Sequence, residues 1–172
     1  TYSGTLAQVY FSRWAERLDD AAVRLEFPDV LEFLVAHPGV GLVVTQAPEG
    51  GLVLRSRRGM ASLRDGALVV VEGDDPLAPY ATGALERRAL ERMGSFDNAG
   101  DLILFGAYDG KEIVCFDDQV ASHGCLGGPQ FWPFLMVPND PRFNRLAITD
   151  PRDLYAQVFL PYHHEPREGH GA

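Results

Sequence analysis

The chain has 172 residues, 46% of them hydrophobic and 23% charged, and carries a formal net charge of −9. That composition suits one globular domain with a core of useful size and excludes a disordered or fibrous chain. The acidic balance argues against nucleic acid as a partner, since phosphate neutralisation needs clustered Lys and Arg, and no apolar run reaches the roughly 18 residues of a membrane span.

In chain order, Thr5–Phe11 reads as a strand by its β-branched and aromatic content. It follows the first residue, Thr1, almost directly. The expectation is a processed chain or a piece of a longer one, with the strand's sheet neighbours upstream. Its open edge is then a place for association. Asp19 and Asp20 cap a short helix, and Pro28 opens a second with Val30, Leu31, Leu34 and Val35 on one face. His37-Pro38-Gly39 ends it, with His37 placed to complement the helix dipole. Val40–Thr45 and Leu52–Ser56 read as a hairpin around Pro48-Glu49-Gly50-Gly51. Asp65-Gly66 is a strong two-residue hairpin signal, joining a strand that ends at Arg64 to Ala67–Val71. Arg55, Arg57, Arg58 and Arg64 lie around these hairpins and read as a solvated face.

Gly83–Met93 reads as a helix with Leu85, Ala89 and Met93 inward and Gly94 as its stop. Asp101–Tyr108 (DLILFGAY) is a buried-type strand, turned back by Asp109-Gly110 into a strand over Glu112–Phe116. Leu135–Val137 allows a further short strand. Asp150-Pro151 starts a last helix with Leu154, Tyr155 and Val158 inward. Residues 163–172 form a polar tail, in which His163, His164 and His170 offer only adventitious metal binding. The pattern is mixed α/β to α+β. It divides into one domain or domain fragment over 1–162, with a hairpin-rich subdomain over 40–71, and the tail. Cys115 and Cys125 form no CxxC motif and read as reduced thiols of a soluble, cytoplasmic chain, with a disulfide between them as the alternative the spacing allows.

No complete active site is visible locally. HExxH, DxxxH, a GxSxG elbow and a phosphate-binding Gly-rich loop are all absent. Asp117 and Asp118 lie too far before His123 to form a local ligand pair. What remains is ASHGCLGGPQFWPF (121–134), where His123 precedes Gly124. That arrangement suits an imidazole aimed by the backbone towards a metal. It equally suits an ordinary loop whose histidine is satisfied by a carbonyl.

The run SHGCLGGPQFWPFLMVP resembles the SHGG-LGGPQ-x-x-PFLL-x-P signature of a bacterial group in the alkaline phosphatase superfamily, close to type I phosphodiesterase/nucleotide pyrophosphatase proteins. SGTLAQVYF (3–11), LVAHPGVGLVV (34–44), EGDDPLAPYA (72–81), DLILFGAYD (101–109) and EIVCFDDQVASHG (112–124) are similar to further segments of that group, in the same order. The resemblance implies the C-terminal portion of an αβα sandwich and a metal-dependent phosphoesterase parent. That parent would hold two divalent ions, often Zn²⁺, act on a phosphate ester, and could itself be membrane-associated. His123 matches a metal-ligand position, with Gly124 giving the turn and Ser122 and Gln130 as supporting groups. The nucleophile and remaining ligands of such enzymes have no counterpart here, so the fragment alone is expected to be inactive. Cys125 departs from the group's Gly. The competing expectation is a non-catalytic module that binds a partner or small ligand, or an inactive superfamily member.

Overall fold

The computed structural model describes residues 1–80, 83–118, 122–128, 134–139, 143 and 147–161. The chain divides into two units, Thr1–Trp132 and Pro133–Ala172.

In the first unit the strands are β1 (Tyr2–Ser3), β2 (Leu6–Val9), β3 (Val40–Gln46), β4 (Leu52–Ser56), β5 (Gly59–Arg64), β6 (Ala67–Gly73) and β7 (Leu102–Gly106). They form one seven-stranded sheet in the order β1-β2-β7-β3-β4-β5-β6, and every neighbouring pair is antiparallel. The period of two along each strand sends alternate side chains to opposite faces. On one face Leu42, Val44, Leu52, Leu54, Leu63, Ile103 and Phe105 form the larger core, closed by Leu77, Tyr80, Leu90 and Leu126. On the other, Val43, Leu102 and Leu104 pack with Leu18, Val23 and Leu31. Burial on both faces explains why β3 and β7 read as continuous apolar runs. Each fully buried Leu, Ile or Val contributes about 1.5–3 kcal/mol.

Helices cover both faces. α1 (Asp20–Glu26) is capped by Asp19, whose Oδ1 accepts from the Ala22 amide at 2.8 Å. α2 (Val30–Ala36) buries Leu31, with Val30, Leu34 and Val35 packed beside it, the face expected from spacing. α3 (Ala84–Gly94) lies on the larger core. Its buried face is rotated from the expected stripe. Glu86, Leu90 and Gly94 are buried, while Leu85 and Ala89 are exposed. Gly94 sets this rotation: a Cβ there would sit 2.5 Å from Leu52 Cδ2, so the helix closes on β4 through its glycine. Gly94 therefore ends the helix as a packing residue, without a left-handed turn.

Between β5 and β6, Asp65 and Gly66 have φ of 52° and 77°, the positive pair that a two-residue hairpin requires. β2 has both its neighbours, β1 and β7, within the chain, so the expectation of upstream partners for it is corrected. The expected strand over Glu112–Phe116 reduces to one bridge, Tyr108 to Ile113. Two backbone bonds to the preceding segment remain, Asp109 N to Glu112 O and Val114 N to Ala107 O, while Asp109 Oδ1 accepts from the Lys111 and Glu112 amides and Phe116 N donates to Gly4 O.

The arginines do not form one solvated face. Arg55 clasps Asp20 through both guanidinium nitrogens, with side-chain exposures of 13% and 10%. Thr45 adds a hydroxyl bond to the same carboxylate at 2.6 Å. Burial pushes the Asp20 carboxyl up, but hydrogen bonds from Arg55 and Thr45 and the charge of Arg55 outweigh it and hold it below its ordinary value. Arg57 donates to the Val35 and Ala36 carbonyls at the end of α2. Arg58 meets Asp74 at an exposed 3.4 Å, and Arg64 is exposed.

In the second unit, α4 (Pro151–Leu154) begins as expected, with Pro151 in its first turn and Asp150 as its cap, and continues as a π-helical stretch over Tyr155–Phe159. Tyr155, expected inward, is 58% exposed. Leu135–Val137 forms no strand, and Phe134 and Met136 beside and within it are exposed. The tail histidines lie outside the described residues. No helix among the described residues is long and apolar enough to cross a membrane.

Candidate functional site

The loop carrying His123 is built onto the turn between β1 and β2. Thr5 is fully buried there and joins three segments. Its carbonyl accepts from Gly106 N, at the end of β7, at 2.8 Å. Its amide and hydroxyl both donate to the His123 carbonyl, at 2.9 and 3.1 Å. Gly4, one residue earlier, accepts from Phe116 N at 2.8 Å and donates its amide to Asp117 Oδ2 at 2.9 Å. Gly4 has φ +62°, and a Cβ there would lie 2.3 Å from the His123 carbonyl oxygen. Only glycine allows this approach. The turn thus fastens the 116–117 segment and the 122–124 segment side by side.

The expected site residues fall as follows. The His123 side chain is exposed, and its Nε2 lies 3.3 Å from Ser3 Oγ. Among the described residues, its ring has no other hydrogen-bond partner. Among the described residues the ring meets a hydroxyl and no backbone carbonyl, while the His123 carbonyl is itself bonded by Thr5. Gly124 adopts φ +83°, the turn expected of it, and is exposed. Ser122 is half-buried, with a buried Oγ that has no hydrogen-bond partner among the described residues; Asp117 Oδ1 is in the same condition. Gln130 lies outside the described residues.

The sequence pointed at His123 but not at Ser3, Thr5 or Asp117, which hold or flank it. Ser3 and Thr5 looked like the start of an ordinary strand. Asp117 stands six residues before His123, too far along the chain for a local pair. The available signal was Gly4, a glycine just ahead of a β-rich run.

The other glycines of the loop serve packing. A Cβ on Gly127 would lie 1.9 Å from the Tyr80 carbonyl oxygen, so the loop presses its backbone onto the Ala78–Tyr80 turn. Tyr80 is buried and donates its hydroxyl to Gly106 O at 2.9 Å; burial pushes its phenol up. Cys125 packs against the larger core, and burial pushes its thiol up as well, disfavouring the thiolate a metal would need. Cys115 and Cys125 are both free thiols.

Among the described residues, no group of three or more His, Cys, Asp or Glu side chains converges as a metal site would require. The described residues offer one exposed imidazole, His123, and one carboxylate, Asp117, whose Oδ1 has no hydrogen-bond partner among them. Compared with models of protein families, with curated proteins and with solved structures, the chain matches none.

Proposed function

We propose that the chain is the C-terminal part of a metal-dependent phosphoesterase of alkaline phosphatase type, in which His123 supplies one ligand to a two-metal site completed by residues outside this chain. The observation that carries the reading is the mounting of His123. Its backbone is pinned by two hydrogen bonds from buried Thr5, while its imidazole stands exposed. A side chain held this firmly at its root and left open at its tip is suited to ligation. Helices on both faces of the sheet support the αβα architecture that the resemblance implies. The divalent ions, Zn²⁺ in this reading, would stabilise the attacking and leaving oxygens of a phosphate ester. His123 would hold one of them, with Ser3 orienting the ring, Gly124 setting the turn, and Ser122 and Gln130 as supporting groups.

The isolated chain is expected not to hydrolyse bis(p-nitrophenyl) phosphate with added Zn²⁺ or Mn²⁺. In the longer protein that this reading requires, His123→Ala should lower bound metal by about one ion per chain. Elemental analysis showing unchanged metal would remove His123 from the ligand set. Turnover by the isolated chain that vanishes in His123→Ala would overturn the half-site reading.

A further inference from the structure

The sheet has two margins, and they differ sharply. At one, β1 is only Tyr2–Ser3. At the other, β6 spans Ala67–Gly73, and its outer backbone edge meets no other strand among the described residues. Val69, Val70 and Val71 on it are 58%, 43% and 61% exposed. Ala67–Val71 carries no charge and no proline, the usual means of blunting an edge strand.

We propose that β6 pairs antiparallel with β6 of a second copy of this chain, about a two-fold axis at Val69. Outward and inward backbone groups alternate along a strand, so an antiparallel dyad must pass through a residue and not between two. β6 pairs regularly with β5 from Arg64–Ala67 to Ala61–Val70, and the register shifts after that, with Glu72 opposite Met60. Val69 is the residue that centres a self-pairing of Ala67–Val71. Leu68, partly buried on the larger core, then lies opposite Val70 of the second copy, and that core continues across the joint. Val69 meets its own counterpart.

Charge selects the same occupant. Arg64 and Glu72 flank the apolar stretch at opposite ends, on the sheet face that also carries Arg55. Both are exposed, and neither has an ion-pair partner among the described residues. Within one chain they sit at opposite ends of the ladder. The register shift leaves Glu72 one rise beyond Val70, so across the proposed axis Glu72 of the second copy lies opposite Ala67, the β5 partner of which is Arg64, two strand spacings away. From two spacings of about 4.8 Å, their Cα atoms come roughly 10 Å apart, a span that an arginine and a glutamate close together. The two-fold axis makes this pair twice.

Sedimentation velocity on the whole chain, from micromolar to millimolar concentration, tests the proposal. The wild type should form a dimer. Val69→Lys and Val69→Glu each place like charges directly opposite at the axis. Each should raise the dimer dissociation constant at least about tenfold, as like-charge contact at one paired position demands. An equimolar mixture of the two variants should recover the dimer, because Lys then faces Glu. Arg64→Glu should weaken the dimer and Arg64→Glu/Glu72→Arg restore it. These exchanges touch only exposed side chains, so they decide the matter even if a Val69 variant fails to fold by circular dichroism. A wild type monomeric throughout the range, a dimer that persists in folded Val69→Lys, or a charge exchange that restores nothing each overturns the proposal.

Discussion

Asp20→Ala should destabilise the first unit by about 3–5 kcal/mol, the cost of leaving a buried charge without its partner. Arg55 is the charge in question. With Asp20 it is largely screened from water, and the pair ties α1 to β4. In a chain of this length, each kcal/mol shifts the melting temperature by about 2–4 °C, so the midpoint should fall on the order of 10 °C. Asp20→Leu/Arg55→Met should recover most of the loss, because an apolar pair of similar volume removes the stranded charge. Thermal denaturation of the three proteins checks this. A single variant within about 1 kcal/mol of wild type would show that Arg55 finds water instead, against the figure for a broken buried pair. The pH dependence has a definite sign. The folded carboxyl of Asp20 lies below its ordinary value of 3.8. Its contribution is therefore fully present above the unfolded pKa and is lost as pH falls through the lower, folded one. Wild type should lose stability on acidification below about pH 4 more steeply than the double variant.

Gly4→Ala should act on both the fold and the candidate site. Holding a non-glycine residue at φ +62° costs about 1–3 kcal/mol. The new Cβ would also overlap the His123 carbonyl oxygen, 2.3 Å away. Relief requires the His123 segment to withdraw, lengthening its hydrogen bonds from Thr5, each worth about 0.5–1.5 kcal/mol. The expected result is a loss of roughly 2–4 kcal/mol, with changed ring resonances for His123 in NMR spectra. Thr5→Val is the milder comparison: it removes one donor to the His123 carbonyl and leaves the amide bond in place, at about 1 kcal/mol. If Gly4→Ala melts with wild type and leaves the His123 signals unmoved, the turn does not hold that loop.

Much of the fold was legible because it rests on local rules. Asp65-Gly66 announces a hairpin through the positive φ its turn demands. Asp19 caps α1 because a carboxylate at that position satisfies an otherwise unpaired amide. β3 and β7 are apolar along their length because both their faces are covered. The misreadings share a different origin. Leu85 and Ala89 fit a helical stripe as well as Glu86 and Leu90 do by spacing, and the contact of Gly94 with Leu52 chose between them. Arg55 looked like a surface charge until α1 brought Asp20 over it. Glu112–Phe116 has the composition of a strand but keeps only a short bridge to its partner, with other amides taken by the Asp109 side chain and by Gly4.

The candidate site divides along the same line. By itself the sequence determined β2 to β7, the helix starts, the hairpin turn and the one conspicuous histidine, since each depends on residues close together in the chain. Only the tertiary structure decided that Ser3, Gly4 and Thr5 would meet His123 and Asp117 across more than a hundred residues. Such a meeting follows from which strands become neighbours, through a close approach that only the missing Cβ of Gly4 allows.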